Sequence, residues 1–464
     1  MLQALLRKTN DLAVRFLDTL NTRPVGRPVE FAALAQKVGG PLPAKGEGAI
    51  QTIERLAESV DAGLVATPGP RYFGFVIGGA VPAAVAADWL ASVWDQNGFS
   101  YASSPAAAVV EHVAAQWLVE LFGLSRGCSV GFTTGCTMAN FTGLAAARHA
   151  LLRKLDWDVE SRGLFGAPSI TVVASEESHV SVFASLQMLG LGRERVLRVP
   201  TDDQGRMLAN ELRRVLAGLQ TPVLVCAQAG NVNTGAFDPI VEIAEYVHAM
   251  GGWLHVDGAF GLWAAASPAL RELLEGIESA DSIAVDCHKW LNVPYDSGLV
   301  FVRHPSAHYA AMTLTAAYYE PLPDMARDNH NWVPEASRRA RGFAVYAAMR
   351  SLGRDGIAEM IERCCALARR MAEQLSRGAG VRILNDVVLN QVLVRFSPPG
   401  GGDADCFTSE VIRRVQEDGT CWASGTTWHG MKAMRISVSN WSTSEADIDM
   451  SADAILRCAS DPMK

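Results

Sequence analysis

The 464-residue sequence predicts an α/β protein: a parallel or mixed sheet covered by helices on both faces, followed by a smaller α+β unit. Three observations lead there. From about residue 107, short and continuously apolar runs alternate with segments of helical period, the pattern of strands buried on both faces. Hydrophobic residues make up 49% of the chain and charged ones 19%, which suits a large core and excludes disorder. Beyond about residue 340 a long helical pattern leads into strands flanked by helices, a change that marks a second unit.

In chain order, residues 1 to about 66 read as two or three helices broken by RPVGRP (23–28) and GGPLP (39–43). Such an arm, taken as 1–70, is expected to pack on a partner subunit. Gly69-Pro70 opens the loop RYFGFVIGG. Ala107 to Phe122 is helical in period; SITVVAS (169–175), RVLRVP (195–200), PVLVCAQAG (222–230), WLHVDGAF, SIAVDCHKW and GLVFVR (298–303) read as strands. VSVFASLQMLG, NELRRVLAGL and IVEIAEYVHAMG are the helices between them. Residues 71–340 thus form the large domain. A helix over roughly Ala340 to Ser351 opens the small domain, 341–464, in which VLNQVLVRF and MRISVSN are strands.

Composition excludes several classes of function. A net charge of −8 lacks the basic face a nucleic-acid binder needs to displace counterions. The most apolar stretch, Gly74 to Ala87, is interrupted by Pro82 and falls short of the ~20 residues of a membrane span. The N-terminus carries Arg7, Lys8 and Asp11 too early for a signal peptide. Nine cysteines without a CxxC pair fit a reducing, cytoplasmic location.

Four features carry chemistry. Lys289, in DCHKW at a strand end between His288 and Trp290, is expected to be partly buried, and burial lowers an amine's pKa and sharpens it as a nucleophile. Asp257, in HVDGAF, ends the preceding strand; both residues then lie at the carboxyl ends of strands, where α/β sheets bind ligands. A carboxylate beside a reactive lysine suits a cofactor with a protonatable ring nitrogen, and the small Gly258 and Ala259 leave room for a flat ring. Thr134-Gly135-Cys136-Thr137 leads from a strand into a helix, whose free N–H groups and dipole favour a phosphate. His179, in SEESHVSVF between strand and helix, is placed to stack on a ring. Taken singly these read as a paired core lysine, two helix caps and a structural histidine; together they describe a site.

The order TGCTMAN, SEESHVSV, GNVNTGAFDP, HVDGAFG and DCHKW resembles the group II pyridoxal-phosphate decarboxylases, the family of aromatic-amino-acid, histidine and glutamate decarboxylases. The match runs from about Pro70 to Ser351 and more loosely to the end. The resemblance implies the fold type I (aspartate-aminotransferase-like) architecture, with a mainly parallel seven-stranded sheet and a small α+β domain. It implies an obligate homodimer with shared active sites, pyridoxal 5'-phosphate as cofactor, and an amino acid substrate losing CO2. It makes Lys289 the Schiff-base lysine, Asp257 the partner of the pyridine nitrogen, and His179 and Ala259 the residues on the two ring faces. Gly135, Cys136 and Thr137 would hold the phosphate with His288 nearby, and Asn231 stands at a cofactor-contacting turn where relatives have threonine.

The same resemblance sets the departures. Asn329, in RDNHNW, stands where the resemblance places a proton-donating loop tyrosine, which leaves Tyr318, Tyr319, His330 or Lys289 to return the proton to Cα. Other reactions at Cα therefore stay open: oxidative deamination to an aldehyde, retro-aldol cleavage or transamination. In the substrate pocket, Phe73 and Phe75 are retained, Val76 and Gly78 replace a bulkier aromatic and a threonine, and Asn97 and Phe99 would reach across the dimer. These favour an aromatic or other apolar amino acid. Arg435 reads either as a clamp on the substrate carboxylate or as an ordinary ion pair.

Overall fold

The computed structural model describes residues 1–314 and 328–460. They form two compact units: Gly78–Ala368 with Asn385–Gln391, and Met1–Ile77 with Arg369–Leu384 and the chain from Val392 onward. The divisions expected at 70 and 340 therefore shift. The helix that opens near 340 runs through Gly342–Ser376, with non-helical geometry at Gly353, well beyond the expected Ser351. It buries Val345, Ala348, Ile361, Cys364 and Cys365, so the large unit keeps most of it. The N-terminal segment belongs to the other unit because its backbone is tied there: Val25 N–H donates to Gly419 O and Phe73 N–H to Trp422 O.

The large unit is built on seven strands: β1 (Ser129–Thr133), β2 (Thr171–Ser175), β3 (Leu197–Val199), β4 (Val223–Gln228), β5 (Trp253–Asp257), β6 (Ser282–Asp286) and β7 (Gly298–Val302). Their order is β1-β7-β6-β5-β4-β2-β3, parallel except for β7, which pairs antiparallel with both β1 and β6. Every residue of β1, β4, β5, β6 and β7 is buried, as their unbroken apolar character requires. The expected strand SIAVDCHKW ends at Asp286, and Cys287–Trp290 is one helical turn. The cause is local: the N–H groups of Cys287 and His288 both donate to Ser297 O, which pulls the chain out of the ladder.

The helix Cys136–Arg153 lies directly on this sheet. Its buried face is made of Ala139, Gly143, Ala146 and Ala147, small residues that allow close approach. Gly143 eases that approach, since a Cβ would stand 3.0 Å from the ring of His255 and force it to shift. In the second unit, β8 (Val381–Ile383), β9 (Gln391–Phe396), β10 (Ser424–Trp428) and β11 (Met431–Ser437) form a sheet of order β10-β11-β9-β8. Helices Ala404–Asp418 and Glu445–Ser460 accompany it, and the N-terminal helices Leu2–Asp18, Phe31–Val38 and Ala49–Val60 bury no residue. Among the described residues no helix is long and apolar enough to cross a membrane, and none of the nine cysteines forms a disulfide.

At the end of the sheet where β6 begins, Asp281 accepts hydrogen bonds from Leu254 N (2.8 Å), His248 Nε2 (3.1 Å) and His304 Nε2 (2.9 Å). Burial pushes its pKa up, and these donors more than reverse the shift, leaving it below the usual value. A depressed folded pKa stabilises the fold above the unfolded value near 3.9, and the gain is lost as pH falls through the folded value. Asp281→Asn is expected to cost about 2 kcal/mol at pH 7, with the cost shrinking progressively below about pH 4 as the carboxylate is protonated, measured by urea unfolding.

Candidate active site

The carboxyl ends of β4, β5 and β6 lie side by side, because these strands are parallel neighbours. Asp257 is the last residue of β5 and Asp286 the last of β6. The N-terminus of the helix Cys136–Arg153 joins them: Cys136 N–H donates to Asp286 Oδ1 at 2.6 Å, and Cys136 Sγ lies 3.5 Å from Asp257 Oδ1. Burial and the nearby carboxylates raise the thiol's pKa, so it stays protonated and donates. Sequence reasoning brought Gly135, Cys136, Asp257, His288 and Lys289 to one place, and the structure gathers them there.

Asp257 is buried, which alone would raise its pKa; the charges of His179 and Lys289 and a hydrogen bond from Asn140 Nδ2 (3.1 Å) hold it below the usual value instead. Ala259 N–H donates to its other oxygen at 3.1 Å, through the turn that keeps the small Ala259 half-buried beside it. His179 is the exposed N-cap of the helix Val180–Met188, with Nδ1 accepting from Ser181 N. Ser181 Oγ lies 2.7 Å from that nitrogen and 3.4 Å from Asp257 Oδ2, so imidazole and carboxylate share one hydroxyl.

Lys289 departs from expectation in its charge. Burial alone would lower the amine's pKa, but Nζ sits 2.9 Å from Asp286 Oδ2, and that ion pair raises it. His288 lies 3.5 Å from Asp286, has its pKa lowered by burial, and stacks on Tyr295 with ring centroids 4.3 Å apart. Partial desolvation by its neighbours, with the Asp286 charge, pushes the phenol of the otherwise exposed Tyr295 up to about 12. The backbone of Lys289 explains Gly78: a Cβ there would fall 1.8 Å from Lys289 O, so no threonine fits. Thr137 is exposed at the second position of its helix, free to face an anion.

Asn231 follows β4 at the same end of the sheet. Its Oδ1 accepts from Asn233 N and Thr234 N, while Nδ2 is buried without a partner. A phosphate-favouring helix start, an amine, an ionised buried carboxylate and this unsatisfied donor together fit pyridoxal phosphate, with its anionic, carbonyl and ring-nitrogen ends.

The remaining sequence candidates form a separate group or lie elsewhere. Asn97, Phe99 and His330 form a strap: Asn97 bonds Ser337 Oγ and Arg338 N, and Phe99 stacks on His330 at 4.4 Å. His330 is buried by that stack, and Asn329 is buried among Glu111, His112 and Arg338 behind β1. Both side chains are thus enclosed among the described residues. Tyr318 and Tyr319 lie outside the described residues. In the second unit Phe73 is 1% exposed and belongs to the core, whereas Phe75 is 56% exposed and tilts against Trp422. Phe75 and Val76 both have positive φ, a strained backbone typical of functional loops. Arg435 makes no ion pair among the described residues; its Nε is buried without a partner, and burial lowers its pKa.

Asn140, Ser181, His255 and Asp286 escaped the sequence reading. Two had a signal: Asn140 lies one helical turn after Cys136, and His255 shares a strand face with Asp257 two residues on.

Residues 35–397 match the pyridoxal-dependent decarboxylase conserved domain. The chain is 29% identical to the acidic amino acid decarboxylase GADL1 of Bos taurus over 367 residues, 77% of this chain and 67% of that protein. It is 27% identical to the aromatic-L-amino-acid decarboxylase of Bacillus atrophaeus over 421 residues, 88% of this chain and 84% of that one. The crystal structure of mouse CSAD superimposes with a TM-score of 0.91 at 26% identity, covering 99% of both chains.

Because the Lys289 pKa is raised, the free-amine fraction climbs with pH. Capture of pyridoxal phosphate, followed by its absorbance, is expected to accelerate by up to about tenfold per pH unit between about pH 6 and 9. Asp286→Asn removes the carboxylate that holds the proton, and should speed capture at pH 7 by about tenfold while leaving that slope unchanged.

Proposed function

The chain belongs to the pyridoxal-dependent decarboxylase family, and on that premise we propose that Lys289 carries the pyridoxal phosphate while Asp257 faces its ring nitrogen. The activity is the pyridoxal-phosphate-dependent decarboxylation of an amino acid to its amine and CO2. One observation carries the residue assignment: Cys136, at the start of a phosphate-favouring helix, touches both the ionised Asp257 and the Asp286 that is paired with Lys289.

When bound, the cofactor supplies a sink for the electron pair left at Cα as the carboxylate departs. The chain's own groups prepare that event. Asp257, buried and negative, favours a proton on the ring nitrogen. Asp286 holds the Lys289 ammonium in place, 2.9 Å from Nζ, until its proton is lost and the amine can attack a carbonyl. His179 and Ala259 would lie against the ring, Gly135, Cys136 and Thr137 would hold the phosphate at the helix start, and His288 and Asn231 would flank it. The burial of Asp257, Asp286 and Cys136 keeps water from the reacting centre, which favours loss of a charged carboxylate as neutral CO2.

The substrate read here is an aromatic or other apolar L-amino acid, supported by the exposed Phe75 on its strained loop and by Asn97 and Phe99 on the strap. Arg435, with its unsatisfied Nε, is read as a carboxylate-binding residue, and Tyr318 and His330 as further pocket residues. The protein is read as a cytoplasmic homodimer with shared sites. Support comes from nine cysteines of which none forms a disulfide, and from large apolar side chains left exposed, among them Leu2, Phe31, Trp89, Val93 and Trp94.

Purified protein given aromatic, branched and acidic amino acids should release CO2 and amine from an aromatic or branched one, with no aldehyde or peroxide. Lys289→Ala should lower kcat by more than about 10³-fold and remove the visible cofactor absorbance. Release of CO2 from acidic amino acids alone would overturn the substrate class; an undiminished Lys289→Ala would overturn the residue assignment. By light scattering the particle should have twice the chain's 49.8 kDa, and a particle of one chain's mass would exclude shared sites.

A further inference from the structure

A chain of four hydrogen bonds runs beneath Asp257, and its two ends allow it only one direction. At one end the Trp253 indole can donate but not accept; its Nε1–H reaches Ser282 Oγ at 2.9 Å. At the other end, ionised Asp257 can accept but not donate. Ser282 therefore turns its own proton to His255 Nδ1, 2.8 Å away. His255 is neutral, because burial lowers its pKa to about 4. Its single proton then sits on Nε2 and is donated to Asn140 Oδ1 at 2.9 Å. With its oxygen so committed, Asn140 must turn Nδ2 to Asp257 Oδ2 (3.1 Å) and Ser181 Oγ (3.2 Å). A reversed amide would set N–H against N–H at His255 and oxygen against the carboxylate.

All four supporting residues are buried, so water cannot replace a lost bond. They come from three elements: Trp253 and His255 share with Asp257 one face of β5, Ser282 opens β6, and Asn140 lies on the helix Cys136–Arg153. Gly143 of that helix leaves the space the imidazole fills.

We propose that His255 and Asn140 are positioning residues for Asp257: the Nε2–H tautomer of His255 sets the Asn140 amide, and Asn140 fixes the charge and rotamer of the carboxylate. This rests on the reading that Asp257 faces the cofactor's ring nitrogen. The other ionisable groups around Asp257 are His179, Lys289, Cys136 and Cys226, contributed by four different segments.

The test uses the holoenzyme with His255→Leu, His255→Gln and Asn140→Ala. Glutamine reproduces the pattern of the neutral ring, with a donor for Asn140 and an acceptor for Ser282; leucine fills similar space with neither. The readouts are the bound cofactor's absorbance from about pH 6 to 9, its dissociation constant, and kcat against KM. In His255→Leu and Asn140→Ala the spectral transition should move by about one pH unit or more, the cofactor should bind about tenfold more weakly, and kcat should fall about tenfold with KM nearly unchanged. His255→Gln should track the unchanged protein in all three. The proposal is overturned if the Leu and Ala variants keep the wild-type spectral pH dependence, or if Gln is as damaging as Leu. If His255→Leu does not fold, Asn140→Ala decides by the same criteria. Should the unchanged protein show no cofactor absorbance at all, the reading of the site itself fails, an outcome distinct from normal loading with indifferent variants.

Discussion

A carboxylate buried at the carboxyl end of β5 has to be kept ionised without water, and much of the large unit's polar interior is arranged around that requirement. An unpaired buried charge costs several kcal/mol, so Asp257 persists as an anion only with charges and donors supplied from all sides. Asn140 reaches it from one helix, Ser181 and His179 from the start of another, Ala259 from its own turn, and Lys289 acts on it from the end of β6. Those elements meet because β4, β5 and β6 are parallel and adjacent, which aligns their ends in one row. The register is set by backbone pairing, Gln228 opposite Asp257 and Asp257 opposite Ala284. A slip of one residue would turn Asp257 to the other face of the sheet.

Two carboxylates stand in this row and their surroundings divide their work. Asp257 is held below the usual carboxylate range by His179, Lys289 and the Asn140 amide together, so it stays ionised. Asp286 faces an amine at 2.9 Å and a backbone N–H at 2.6 Å, so it ties Lys289 to the start of the helix Cys136–Arg153. The same pair tempers the simple expectation that a buried lysine is a free nucleophile. Burial lowers an amine's pKa only when no anion accompanies it, and here the anion wins. Environment, and not residue type, assigns the acid–base roles.

Much of this was legible beforehand. The strands announced themselves as continuous apolar runs, because a parallel sheet covered on both faces leaves no polar face to alternate with. Strand-end motifs placed Asp257 and Lys289 together, since a βα-alternating chain returns each strand end to the same edge. The helix start at Cys136 could be read from small and hydroxyl residues after a strand. Misreadings had local causes: the turn at Cys287–Trp290 follows from Ser297, nine residues on, which no apolar pattern reveals. Phe73 and Phe75 look alike in sequence, but one is packed and the other exposed, a difference set by the positive φ at Phe75 and Val76.

The sequence by itself determined the sheet class and the cofactor class, because periodicity and short motifs are local properties of a chain. It could not determine the ionisation of Lys289, which depends on Asp286 being turned toward it, or the burial of Asn329 and His330, which depends on the strap from Asn97 to Phe99. Nor could it show that Trp253, Ser282, His255 and Asn140 form one directed chain, since they lie far apart in sequence on three elements. Hydrogen-bond direction and pKa belong to pairs of groups brought together in space, so only the tertiary structure decides them.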